Sequence, residues 1–117
     1  MSPGTIQEVI EKNAPLAVRS VSSNGRVFLS TYFIGNYPMY VEASKKDPRY
    51  YAKIVLLGET RPYTVQITVF REVKFADGAY RVDGQDERQA REILKRLKQE
   101  LALRRENRNA IDDLRVF

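Results

Sequence analysis

Between Leu16 and Asp83 apolar residues recur at every second position, and turn residues rather than helical segments punctuate the run. A period of two sends successive side chains to opposite faces of a strand, so the pattern commits more than half the chain to an antiparallel sheet. Asn24-Gly25 and Asp77-Gly78 are its strongest hairpin signals, because both residues of each pair tolerate positive φ. The first joins a strand near Leu16–Ser22 to one near Arg26–Ile34. Gly35-Asn36-Tyr37-Pro38 breaks the run, and Met39, Val41 and Ala43 then alternate with Tyr40, Glu42 and Ser44. After the polar loop Lys45-Lys46-Asp47-Pro48, a strand over Tyr51–Leu57 puts Ala52, Ile54 and Leu56 on one face. Gly58-Glu59-Thr60-Arg61-Pro62 turns the chain into its longest strand, with Val65, Ile67, Val69, Val73 and Phe75 on one face and Thr64, Gln66, Thr68 and Glu72 on the other. Tyr80–Val82 closes a meander of five or six strands over about 16–83.

The flanks change period. Thr5-Ile6-Gln7-Glu8 reads as a capping box, and Ile6, Val9 and Ile10 follow at helical spacing until Pro15 disfavours the α conformation at Ala14. This predicts a short helix over about 5–13. At the other end Asp86 with Gln89 makes a second capping box. Ala90, Ile93, Leu94, Leu97 and Leu101 then form a stripe at 3.6 spacing, predicting a helix over about 86–108 that lies on the sheet. Glu87–Arg91, Glu92–Arg96 and Glu100–Arg104 stand in the favourable i,i+4 order. Leu114, Val116 and Phe117 leave an apolar tail in 109–117. The fold class expected is α+β, one domain, with both helices on one face of the antiparallel sheet.

Composition narrows the chemistry. Cysteine, histidine and tryptophan are absent, which excludes a disulfide framework, a thiolate nucleophile, a Cys/His zinc site and a histidine general base. No phosphate-cradling glycine loop and no G-x-S-x-G is present. Glu42 and Glu72 are the candidate paired carboxylates, but strand alternation makes both solvent-facing charges. Asp112-Asp113 falls short of a calcium loop. The reading is a non-enzyme with no catalytic residue, cofactor or metal. No stretch approaches the roughly 18 apolar residues of a membrane-spanning helix, and the first residues do not read as a secretory leader.

Twenty Lys+Arg against fifteen Asp+Glu give a net charge of +5. Between Arg88 and Arg108 there are eight basic and three acidic residues, a density that attracts phosphate or acidic partners or serves as a solvated helix face. Extrapolating the apolar stripe past Leu101 lands on Arg104, Arg105 and Arg108. Burying three such charges unpaired would cost several kcal/mol each, so the helix is expected to project past the sheet with them exposed or paired. Among the seven tyrosines, Tyr37, Tyr50 and Tyr51 sit by loops, where an amphipathic ring suits a protein contact. These six residues are the candidate partner-binding set. Strand propensity is the competing reading of the tyrosines.

The helix near Thr5–Asn13, the hairpins at Asn24-Gly25 and Asp77-Gly78, and the stripe from Ala90 to Leu101 together resemble the helix-grip arrangement. In that arrangement the chain is similar to small soluble domains of bacterial envelope lipoproteins, such as outer-membrane assembly lipoprotein C. The resemblance is one of topology and transfers no functional residue. It implies a protein-interaction or assembly domain and favours the cell envelope over the cytoplasm. A nucleic-acid-binding domain using the basic helix is the alternative, and a small apolar-ligand carrier, with a cavity between sheet and helix, is the third.

Overall fold

A computed structural model of the chain describes residues 3–58, 63–103 and 113–116. The order of elements is α1 (Pro3–Asn13), β1 (Val18–Val21), β2 (Val27–Ser30), β3 (Phe33–Ile34), β4 (Val41–Glu42), β5 (Arg49–Leu57), β6 (Thr64–Lys74), β7 (Tyr80–Gln85), α2 (Glu87–Ala102) and β8 (Asp113–Val116). The protein is α+β, as the change of period predicts. Strands β1, β2, β5, β6 and β7 pair antiparallel in that sequence, and β3 with β4 extends the sheet from the start of β5.

The inward side chains of the strands, Phe28, Ala52, Ile54, Leu56, Val65, Ile67 and Val69, form one core with Ile6, Val9 and Ile10 of α1 and Ala90, Ile93, Leu97 and Leu101 of α2. Both helices therefore cover the same sheet face. The side chains between the helices and the sheet form one buried cluster.

Local details correct the sequence reading. Helix α1 already starts at Pro3, so Thr5 lies within it rather than at its cap. Past the helix, Ala17 N–H donates to Pro15 O at 2.8 Å across Leu16, which sits at φ 62°, a left-handed conformation that costs a non-glycine residue about 1–2 kcal/mol. At both hairpins only the glycine has positive φ, 68° at Gly25 and 85° at Gly78. Asn24 and Asp77 act through their side chains, accepting the backbone N–H of Arg26 and Ala79. Gly25 is fixed twice over, because Gln7 Nε2 donates to its carbonyl at 2.6 Å and would lie 2.5 Å from an added Cβ. That contact ties α1 to the first hairpin.

The second helix begins as expected: Asp86 Oδ1 accepts Gln89 N–H at 3.0 Å. The reciprocal half of the box differs. The Gln89 amide donates to the Asp86 carboxylate at 3.3 Å, while Asp86 N–H is taken by Val69 O at 2.9 Å. The sheet thus occupies the donor that a free capping box would use, and α2 is anchored to β6. Its described span ends at Ala102 with Leu103 as C-cap. The apolar tail is also not a free tail: Asp113–Val116 forms β8, which runs parallel to β6 with Thr64 opposite Asp113 and Ile67 opposite Val116. Strands β7 and β8 lie end to end along the same edge of β6.

Candidate functional site

Of the predicted site residues the structure describes the three tyrosines. Arg104, Arg105 and Arg108 lie outside the described residues, as do Asp112 and the far half of the expected Glu100–Arg104 pair. The three tyrosines part company. Tyr50 and Tyr51 are strand residues on β5, and alternation sends them to opposite faces. Tyr50 is partly buried and packs inward against the core, its ring 6.1 Å from Phe33. Tyr51 faces outward beside Phe70 of β6, at 5.3 Å between ring centroids. Tyr37 alone sits on a loop, and it is on the helix side.

The Tyr37 loop is built by its backbone. Gly35 has φ 90°, and a Cβ there would lie 2.6 Å from Met39 O, so only glycine lets the loop close on itself. Met39 N–H donates to Asn36 O at 2.7 Å, with the Tyr37–Pro38 peptide cis. Tyr40 then turns back, its ring edge-on to Phe33 at 5.0 Å.

Arg96 of α2 clips the loop down. Its Nη2 donates to the Tyr40 hydroxyl at 2.9 Å, and its guanidinium lies 4.0 Å from the Tyr37 ring centroid. The expected Glu92–Arg96 pair yields to this contact. Burial raises the Tyr40 hydroxyl above its ordinary pKa of 10.0, opposed by the Arg96 charge and assisted by Glu92. Arg96 Nε is buried without a hydrogen-bond partner.

With Tyr40 held inward, the loop exposes Tyr37, Met39 and Val41, which are 50%, 76% and 54% accessible. A cleft of about 180 Å³ runs between the loop and the start of α2, lined by Asn36, Tyr37, Tyr40, Arg88, Gln89 and Glu92. Apolar projections beside a polar cleft suit a protein surface. Sequence reasoning found Tyr37 but missed Met39, Val41 and Arg96. The Arg96–Tyr40 contact spans 56 residues, and no local pattern encodes it.

The candidate carboxylates Glu42 and Glu72 have different partners. Glu42 is fully exposed, and its carboxyl is held below the usual glutamate value, chiefly by hydrogen bonding with Ser44, whose N–H it accepts at 2.6 Å. Glu72 is not the solvent-facing charge expected from alternation. It pairs with Arg49 at 2.9 Å, and both side chains are nearly covered, at 13% and 12% accessible. Among the described residues no group of three or more His, Cys, Asp or Glu could hold a metal ion, and no helix is long and apolar enough to cross a membrane.

No protein-family model, curated protein or solved structure matches the chain.

Proposed function

We propose that this is a non-enzymatic protein-interaction or assembly domain whose partner docks on the Tyr37–Val41 loop and the adjoining face of α2. The observation that carries this reading is the exposure of Tyr37 and Met39 on one loop, and of Val41 where it enters β4, with the loop's base fixed by Arg96 and Gly35. Such a loop presents apolar side chains at low entropic cost, because the segment is ordered before the partner arrives. Beside it, Arg88 and Lys95 are exposed cations of α2 with no ion pair among the described residues. The partner surface is accordingly apolar at its centre and acidic at its rim. The topological likeness to the soluble domains of envelope lipoproteins points the same way and adds an envelope location to the proposal.

The test starts from a photo-crosslinking residue placed at Met39 in cells, followed by purification of the protein it captures. Titration of that protein with the wild-type domain and with Met39→Asp should show at least about a tenfold loss of affinity, roughly 1.4 kcal/mol. The melting temperature of the domain should not change. Equal binding by both forms refutes the reading. So does preferential binding of a single-stranded oligonucleotide whose affinity falls steeply with salt.

A further inference from the structure

We infer that the opposite, helix-free face of the sheet is a second binding surface, built to take a carboxylate-bearing aliphatic segment of a protein on Arg19. This goes beyond the proposal above and does not rest on it, since the residues differ and lie across the sheet.

The face is defined by register. Ser20, Leu29, Lys53 and Thr68 stand opposite one another in a row across β1, β2, β5 and β6, and Val27, Val55 and Gln66 form the next row. Both helices pack on the other side, and no described element covers these rows. A bulge between Val18 and Ser20 frees Arg19 from the strand's alternation and lets its side chain reach across the face.

Arg19 is held in place. Its Nε donates to Ser30 O at 2.8 Å, and its guanidinium lies 4.4 Å from the Tyr32 ring centroid and 5.1 Å from that of Tyr51. Those rings are themselves fixed, edge-on to each other at 5.7 Å. A guanidinium tethered through Nε and backed by two rings keeps its terminal N–H groups free as a fork, the geometry that matches a carboxylate. Little side-chain freedom is left to lose on binding.

Charge on this face is uncompensated. Along the outward positions of β5 and β6, Glu72 is the single carboxylate, and Arg49 takes it. Arg19 and Lys53 have no carboxylate within ion-pair distance among the described residues. Two uncompensated cations suit an acidic segment better than a phosphodiester chain, which needs a cation near every phosphate. The neighbouring Val27, Leu29 and Val55 are branched aliphatics that bury well under a peptide side chain and offer a phosphate nothing. The faces of Tyr32 and Tyr51 are already engaged by Arg19, so stacked bases would have to displace it.

The probe is a synthetic peptide repeating Glu-Ser-Val-Ser, in which an extended chain puts Glu and Val on one side. Backbone amide shifts of the labelled domain are followed on titration. Saturable shifts confined to β1, β2, β5 and β6 are expected. Arg19→Ala should weaken binding at least about tenfold, and Arg19→Lys should restore only part of it, because a lysine lacks the fork. Lys53→Glu gives an independent check should Arg19→Ala melt early, and it should weaken binding too. Tyr37→Ala should leave the affinity for this peptide unchanged, which separates this surface from the loop site.

The inference is overturned if the Gln-Ser-Val-Ser peptide binds equally well, or if the shifts fall on other elements. It is also overturned if Arg19→Ala and Lys53→Glu both bind like wild type. An oligo-dT strand that binds in an Arg19-dependent manner where the acidic peptide does not would make the face a nucleic-acid site instead.

Discussion

Replacing Arg49 with Met should be among the most damaging single changes available outside the apolar core. The guanidinium bonds Glu72 at 2.9 Å and the Ser44 carbonyl, and it lies 3.6 Å and 3.5 Å from the ring centroids of Tyr32 and Tyr80. Charge centres about 4 Å apart at an effective dielectric near 20 attract by roughly 4 kcal/mol before desolvation is counted. Desolvation cancels much of that, so the intact pair adds little net stability. Breaking it is different, because Glu72 is left almost covered and unpaired, at a cost of about 3–5 kcal/mol. Loss of the two ring contacts adds about 1 kcal/mol. Met fills part of the vacated volume, so the net expectation is about 3–5 kcal/mol out of a total near 5–15. Urea unfolding followed by far-ultraviolet circular dichroism and tyrosine fluorescence measures it, with no tryptophan to dominate the emission. In a double-mutant cycle, Arg49→Met with Glu72→Leu should lose less than the two singles summed, by at least about 1.5 kcal/mol. A single-mutant cost under about 1 kcal/mol would place the pair with ordinary surface ion pairs and refute the reasoning.

Other outcomes follow from the same geometry. Leu97→Ala should cost about 2–5 kcal/mol in the same assay and Leu94→Ala about 1–2, because Leu97 is fully buried and Leu94 only partly. Ser30→Ala should cost about 1–3 kcal/mol, since it strips the buried Ala52 N–H of the hydroxyl that accepts it at 2.8 Å. Tyr40 and Tyr51 both titrate above 10.0, raised chiefly by burial, so ultraviolet titration should show two late phenols. A raised folded-state pKa means their contribution to stability is complete below pH 10 and lost as pH rises through the folded values. Asp77 runs the other way. The Arg81 side chain, then the Ala79 N–H, lowers its pKa below 3.8, so its contribution holds above that pH and fades as acid protonates it. A carboxyl-carbon titration midpoint at or above 3.8 would contradict this.

Much of the architecture was legible because its causes are local. Alternation placed Ala52, Ile54 and Leu56 on the core face, the turn glycines located both hairpins, and Asp86 located the start of α2. What escaped prediction depends on contacts between distant segments. The break between β2 and β3 is patched by the Ser30 hydroxyl, which no periodicity announces. Glu72 reads as a solvent-facing charge until Arg49 pairs with it. Alternation already separated Tyr51 from Ala52, and so Tyr50 from Tyr51, but proximity to a loop outweighed it in grouping the tyrosines as one site. Nothing in the sequence around Arg19 marks it, since a bulge depends on the partner strand's register as much as on its own residues.

The parallel strand Asp113–Val116 carries a consequence for how the protein is made. Residues 64–67 of β6 receive their edge partners only from residues translated forty-nine positions later. At ribosomal rates of about 5–20 residues per second, that delay is roughly two to ten seconds. Throughout that interval the nascent sheet shows open amides and carbonyls along its longest strand, an invitation to pair with another emerging chain. Slow decoding between α2 and β8 should therefore lower the soluble yield, and the same slowing placed after β8 should not.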